Sequence, residues 1–399
     1  MTASARISVL TLKLAQFRSY ELCTIETGGA SVALHGVNGA GKTNILEAVS
    51  MLVPGRGLRR AGADEVVRRP DNVGWRVRAA VAIPIGVIEI ATGVATGVGG
   101  GEATRRTVEI DGKPATQTAL GQRVRMVWLT PAMDRLWLEG AGDRRRFLDR
   151  IALGFDPHHA ETSVTYEKAM RARNRLLKEP GRDPGSNGAW LGGLEAQMAR
   201  AGARIARARA DSLIRLIDAQ NDTGIGGKTL FPRAELSILG DMEIRFSQAL
   251  GAGDDLDQLE AEEAAALSRS LASSRARDAA AGRTLTGPHR SDLTAVYAAK
   301  NMPAAACSTG EQKALLISLC LANARALSRA TGAPPILLLD EVAAHLDAAR
   351  RKALFAEIEA LGAQAWMTGT GPELFDGLGG DAIRLRITEN GGISAVAGH

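Results

Sequence analysis

Cysteine is scarce: Cys23, Cys307 and Cys320 are the only three in 399 residues. An odd count without metal-ligand spacing excludes a disulfide framework and a zinc-ribbon type site, and points to reduced, buried thiols. Aromatic residues make up only 4% of the chain, and none interleaves with its arginine clusters, so recognition of nucleic acid by base stacking is not expected. Long hydrophobic runs are missing as well. The stretches 79–91 and 334–339 are broken by Pro or Gly or fall well short of the roughly twenty apolar residues a membrane span needs. The opening MTASARISVL carries neither a basic leader nor an apolar segment, so no membrane association and a cytoplasmic location are expected. Lysine is sparse too, nine residues against forty arginines. Arginine is the better bidentate partner for phosphate, and the net charge of +5 permits a polyanionic partner without requiring one.

What is present describes a globular chain. Forty-five per cent hydrophobic and 23% charged residues suffice for real cores, and the length allows two or three units. The first fifty residues read as strand, turn, strand, glycine-rich loop and helix, a βα unit. Residues 75–91 and 105–110 continue as strands, the latter closed by the turn signal Asp111-Gly112. From about 134 to 280 the pattern changes to Ala-, Arg- and Leu-rich helices, clearest in 190–220 and 256–281, with loops expected at 180–188 and 221–232. After 284 strand patterns resume, followed by a helix at 310–330, a strand at 335–340, a helix at 347–361, and strands at 364–368 and 382–388. The expected organisation is therefore an α/β core formed by 1–133 and 281–399, split by a helical insert at 134–280. The insert's helices, with apolar positions such as Leu191, Leu194, Met198 and Ile205, are too short and alanine-rich for a long coiled coil.

Residues 36–43, GVNGAGKT, match G-x-x-x-x-G-K-[ST] between an apolar strand and a helix, the context this motif requires. Gly36, Gly39 and Gly41 let the backbone curl, so that amides from Gly36, Val37, Asn38, Gly39, Ala40 and Gly41 face an anion at the helix N-terminus. Lys42 is placed to neutralise the β- and γ-phosphates of ATP, and the Thr43 hydroxyl to bind Mg²⁺. The matching acids stand in ILLLDE, where Asp340 would hold the metal shell and Glu341 would act as base or orienter for water. Upstream, Ser308-Thr309-Gly310-Glu311-Gln312 opens a helix and offers a second anion pocket, through Ser308, Gly310 and Gln312. One nucleotide does not need two such pockets, so the second is expected to serve another subunit.

This S-x-G-x-Q arrangement, some thirty residues before the DE strand, resembles the signature of ABC-type ATPases, whose heads close in pairs over two ATPs. Ala343-Ala344-His345-Leu346-Asp347 is placed like that family's D-loop, where the Asp crosses the dimer interface. Further segments narrow the resemblance. LKLAQFRSYELCTIE, EAVSMLVPGRGLRRA, VWLTPAMDRLWLEGAGDRRRFLDR (127–150), YEKAMRARNRLL (166–177) and LTGPHRSDL (285–293) are similar, in order, to segments of the RecF family. That resemblance implies an ABC-type P-loop ATPase head with an inserted helical lobe, ATP-dependent homodimerisation on DNA, and slow Mg²⁺-dependent hydrolysis that releases the dimer. It also implies RecO and RecR as partners in loading RecA at single-strand gaps during repair and replication restart. The chain departs from the family pattern at Ala132, Met133 and Ser291 and in the reading STGEQ.

ABC transporters normally have a switch histidine after the strand that follows the DE pair, and here that strand reads QAWMTGT. Thr368 or Thr370 could bond a phosphate oxygen but cannot switch charge near neutral pH, so slow turnover is expected. Arg56, Arg59 and Arg60, Arg105 and Arg106, and Arg144, Arg145 and Arg146 are clusters able to line a groove for a DNA backbone, duplex, gapped or at a junction. His289 and Arg290 of GPHR are open between phosphate contact and a structural tie. Tyr20 has the position of an adenine-stacking aromatic but reads more readily as a core tyrosine. Two other functions stay open: a transport-coupled ABC subunit with a membrane partner, and a structural clamp using ATP only as dimer glue.

Overall fold

The computed structural model describes residues 6–69, 73–95, 106–178, 188–222, 230–343 and 346–397. Two compact units divide the chain, the first comprising 1–134, 219–233 and 308–399 and the second 135–218 and 234–307.

The first unit opens with β1 (Ser8–Phe17) and β2 (Tyr20–Glu26), an antiparallel pair turning at Arg18 and Ser19. A short apolar strand, β3 (Val32–His35), leads through the glycine loop into α1 (Lys42–Ser50). The expected strand run 75–91 folds back on itself at Pro84 and Ile85, giving β4 (Gly74–Ile83) and β5 (Gly86–Ala95). Next come β6 (Thr107–Ile110) and β7 (Lys113–Pro114), joined by Asp111 and Gly112, both at positive φ as a tight hairpin turn demands. Then follow α2 (Gln117–Arg123) and β8 (Met126–Leu129).

The second unit takes α3 (Ala141–Phe155), α4 (His159–Lys178) and most of α5 (Gly188–Asn221). A strand the sequence did not announce, β9 (Ala234–Leu239), comes before α6 (Asp241–Ala252), α7 (Leu256–Ser273) and α8 (Arg275–Ala281). The unit closes with β10 (Asp292–Tyr297) and β11 (Met302–Pro303). Its core joins Tyr166, Met198, Ile205, Phe246, Leu267 and Leu271, all buried. Packing of this kind replaces a coiled-coil seam, and none is seen among the described residues. The units part at Cys307 and Ser308, not at 281. The reason is the ladder between β10 and β9, six residue pairs long, which holds 292–297 to the helical unit.

Back in the first unit, α9 (Thr309–Thr331), β12 (Ile336–Leu339), α10 (Ala348–Leu361), β13 (Ala365–Gly369), β14 (Ile383–Asn390) and β15 (Ile393–Ala397) complete the chain. They build a six-stranded sheet ordered β15-β14-β3-β13-β12-β8, parallel except for β15. An antiparallel sheet, β2-β1-β4-β5-β6-β7, lies in the same unit. One continuous core takes Leu12 and Val77 from the antiparallel sheet, Ile45 and Leu46 from α1, and Leu338 and Trp366 from the parallel one. Each such side chain is worth about 1.5–3 kcal/mol in water-excluded area. Gln364 is fully buried and stitches the sheets by accepting from Val9 N at 2.8 Å and donating to Val9 O at 2.9 Å and Ala30 O at 2.8 Å. β3, β13 and β12 are parallel neighbours inside that sheet, and the glycine loop and the acidic pair emerge from the same carboxyl-terminal end of the strands. No described helix is long and apolar enough to cross a membrane.

Candidate functional site

Val32, Ala33 and Leu34 are buried on β3, and the chain then turns through GVNGAGKT into α1. Val37, Asn38 and Gly39 are exposed at the tip of the loop, while Ala40 and Lys42 are buried at its base. Gly41 caps α1 in the left-handed conformation at φ 104. A Cβ there would lie 2.3 Å from Ser394 Oγ, and one on Gly36, at φ 150, would lie 2.3 Å from the Ile387 carbonyl oxygen. Both positions therefore require glycine for space as well as for conformation. The loop is cradled by the C-terminal hairpin of β14 and β15, a support the sequence does not reveal. Tyr20 OH donates to Gly41 O at 3.2 Å and Asn44 Nδ2 to Ser19 Oγ at 2.7 Å, and Ser394 Oγ also reaches Ser19 Oγ at 2.7 Å. Tyr20 is fully buried, so it belongs to the core and is not a stacking platform.

Lys42 Nζ donates to the Gly36 and Val37 carbonyls at 2.7 and 2.8 Å, bent back over its own loop. Burial pulls its ammonium below the ordinary lysine value, and the carboxylates of Glu341 and Asp340 oppose that shift. Thr43 Oγ1 donates to Asp340 Oδ1 at 2.9 Å, joining motifs 297 residues apart. Asp340 also accepts from Thr368 Oγ1 at 2.8 Å, and Glu341 N donates to the same hydroxyl at 2.8 Å. Thr368 is fully buried and its hydroxyl is engaged by Asp340 Oδ1 and Glu341 N, so of the two threonines read as able to bond a phosphate oxygen this one is turned to the acidic pair instead. A hydroxyl and a carboxylate converging at 2.9 Å are hard oxygen donors, the set that suits Mg²⁺. Behind the loop, Arg18 binds Glu47 through both carboxylate oxygens at 2.9 and 2.7 Å. Arg59 reaches Asn44 Oδ1 at 2.7 Å and Glu47 Oε2 at 3.2 Å.

Ser308 caps α9 in a capping box, its N–H and Oγ both donating to the Glu311 carboxylate at 2.9 Å. Ser308 and Gly310 are exposed, but Gln312 is 2% exposed and turned into the unit, so it is not presented to a ligand in this arrangement. The physical reason is that α9 is covered on every side, buried almost continuously from Gln312 to Leu327, and Lys313 is drawn in as well to meet Asp134 at 3.1 Å. Asp347 is exposed and caps α10, accepting from Arg350 N at 2.8 Å. Ala344 and His345 of the expected D-loop lie outside the described residues.

The arginine clusters divide. Arg56, Arg60 and Arg146 are exposed, Arg146 pairing with Asp143. Arg144 instead forms a two-pronged pair with Asp292 at 2.7 and 2.8 Å, and Arg145 donates to Ser291 O at 2.7 Å. Those two arginines pin α3 to Ser291 and Asp292 at the start of β10, so in this structure their guanidinium groups are engaged within the fold. Arg106 is a half-buried tie as well, donating to Thr92 Oγ1 at 2.7 Å and Gly55 O at 2.8 Å, and desolvation pushes its guanidinium down to about 10. Arg105 lies outside the described residues. His289 takes the structural alternative: its Nε2 lies 3.0 Å from Thr284 O and its Nδ1 2.7 Å from Tyr166 OH. A carbonyl only accepts, so Nε2 carries the proton and Nδ1 accepts from the tyrosine. Burial holds the imidazole below its ordinary pKa, favouring that neutral form. Arg290 beside it is exposed.

Residues 8–390 match the family model described as the RecF/RecN/SMC N terminal domain. The chain is 47% identical over 390 residues to the DNA replication and repair protein RecF of Caulobacter vibrioides, covering 97% of this chain and 98% of that one. It is 48% identical to the protein of the same name from Mesorhizobium japonicum, covering 97% of each. Among solved structures, the recombination mediator protein RecF-ATP in the RecFOR pathway superposes with a TM-score of 0.78 at 24% identity, covering 100% of this chain and 99% of that one. The Smc head domain of Pyrococcus furiosus superposes with a TM-score of 0.53 at 16% identity, covering 98% of this chain and 96% of that chain, a likeness of fold. Two motifs joined across 297 residues, the ABC-type head around them and near full-length identity to curated relatives all agree: this chain belongs to the RecF family.

Proposed function

We propose that the protein is an ATP-driven DNA-binding switch of recombinational repair and replication restart. The observation that carries the reading is the Thr43–Asp340 hydrogen bond of 2.9 Å beneath a glycine loop that already holds Lys42 buried. A phosphate chain would take the loop amides of 36–41 and draw Lys42 Nζ off the Gly36 and Val37 carbonyls. Thr43 and Asp340 would hold Mg²⁺, which when bound supplies charge neutralisation for the β- and γ-phosphates. Glu341 is the base or water-orienting group. Ser308 and Gly310, exposed at the start of α9, and Asp347, exposed at the start of α10, are offered to the nucleotide of a second copy, giving an ATP-bridged homodimer. Gln312 drops out of that set.

DNA, duplex or gapped, is the proposed polyanionic partner, met through its phosphates by exposed cations such as Arg56, Arg60 and Arg146. RecR and RecO are the proposed protein partners, and RecA loading at gaps the proposed outcome. With no switch histidine on β13, hydrolysis is proposed to be weak and to time release. Membership in this family sets aside the transport-coupled alternative. The ATP-glued clamp is separated by experiment. A Glu341→Gln variant should accumulate as a dimer with Mg-ATP in size exclusion with light scattering, while the parent protein returns to monomer as ATP is consumed. Equal dimer lifetimes in both proteins would reject the hydrolytic switch.

A further inference from the structure

Thr368 lies in β13, a strand buried at every position, and its own exposure is zero. Its hydroxyl accepts from Glu341 N at 2.8 Å and donates to Asp340 Oδ1 at 2.8 Å, while the same Oδ1 accepts from Thr43 at 2.9 Å. Asp340 N is fixed from the opposite side by Leu129 O at 2.9 Å on β8. Glu341 itself adopts φ 53, the left-handed region that a non-glycine residue enters only when its surroundings hold it there. The structure thus shows one buried hydroxyl wired to both halves of the acidic pair, at the residue whose backbone is strained.

We infer that Thr368 is a positioning residue for hydrolysis: it holds the Glu341 backbone in its left-handed conformation and so aims that carboxylate, while Asp340 stays tied to Thr43 by its own hydrogen bond. The inference deepens the proposed ATPase reading and rests on it. A hydroxyl at this place does two jobs at once because it has one proton to give and lone pairs to accept with. Valine, which has the same shape, does neither and leaves the Glu341 N–H without its partner. Serine does both.

The test is steady-state ATPase kinetics beside Mg²⁺-dependent binding of a fluorescent ATP analogue, on the full chain. Thr368→Val should lower kcat by about 10–100-fold, the usual effect of removing an orienting partner behind a site, and leave analogue binding within about threefold. Thr368→Ser should keep kcat within about threefold of the parent. Should Thr368→Val fold poorly, Thr368→Ala against Thr368→Ser poses the same question. Turnover by Thr368→Val or Thr368→Ala equal to the parent overturns the inference. So does a serine variant as slow as the valine or alanine one, or binding that falls in step with kcat. Lys42→Ala, run alongside, separates the two levels: if it binds the analogue as the parent does, the nucleotide-site reading itself fails, whatever Thr368 does.

Discussion

The first glycine of the loop motif gives the sharpest structural prediction. Alanine at Gly36 must adopt φ near 150, a conformation costing about 1–3 kcal/mol for a residue with a side chain. Its Cβ would also stand 2.3 Å from the Ile387 carbonyl oxygen, and a strand carbonyl yields less readily than a flexible side chain. Overpacking of this kind adds about 1–3 kcal/mol, so Gly36→Ala should destabilise by about 2–6 kcal/mol in all. For a unit of this size that lowers Tm by roughly 5–20 °C. Gly39→Ala is the internal control. Its φ is 85, yet no atom lies within 4 Å of the place its methyl would take, so only the conformational cost of about 1–2 kcal/mol applies. The assay is thermal and urea unfolding of both variants without nucleotide. Equal stability of the two would refute the claim that the β14–β15 hairpin bears on the loop.

Three ties elsewhere in the fold can be tested in the same way. Arg144→Ala should cost about 1–2 kcal/mol in urea unfolding, because a half-buried two-pronged pair is worth more than a surface one. Asp292→Ala should cost a similar amount and the double variant less than the sum, whereas additive losses would mean the pair is not formed. His289 has its folded pKa held below its ordinary value by burial. Its contribution to stability is therefore complete above the unfolded value of about 6.5 and declines as pH falls through the folded pKa. Comparing parent and His289→Asn by urea unfolding at several pH values should show the parent losing more stability on acidification, and parallel curves would contradict this. Lys313→Met should keep α9 in place while freeing Asp134, with an unfolding slope in urea unchanged from the parent, and a shallower slope would count against it.

Much of the architecture is legible in the sequence because its signals are local. GVNGAGKT between an apolar strand and a helix, and ILLLDE ahead of another, need only their neighbours in sequence to be read. The unit boundary is not legible, since the pairing that decides it, β9 with β10, joins segments more than fifty residues apart, and β9 alone is a six-residue alternation inside a helical region. Arginine clusters mislead for a related reason: charge in sequence does not say whether a carboxylate such as Asp292 waits across the fold. The signature pattern fixes where α9 begins but not which of its faces is covered, so the burial of Gln312 escapes it. Thr368 is visible as a hydroxyl close to the site, but not the direction of that hydroxyl, which turns toward Asp340 just past the end of the neighbouring strand. The hairpin behind Gly36 and Gly41 leaves no signal beyond the glycines themselves, which the phosphate motif already explains.

Nucleotide in the 36–43 loop is proposed to control contact with DNA, and everything else in the functional reading depends on that coupling. It can be measured by fluorescence anisotropy of labelled duplex, gapped and single-stranded DNA, titrated with the parent protein and with Lys42→Met in ATP and in ADP. Tight binding to duplex or gapped DNA is expected only for the parent with ATP. Binding that is the same in every nucleotide state, or that survives Lys42→Met unchanged, would contradict the coupling.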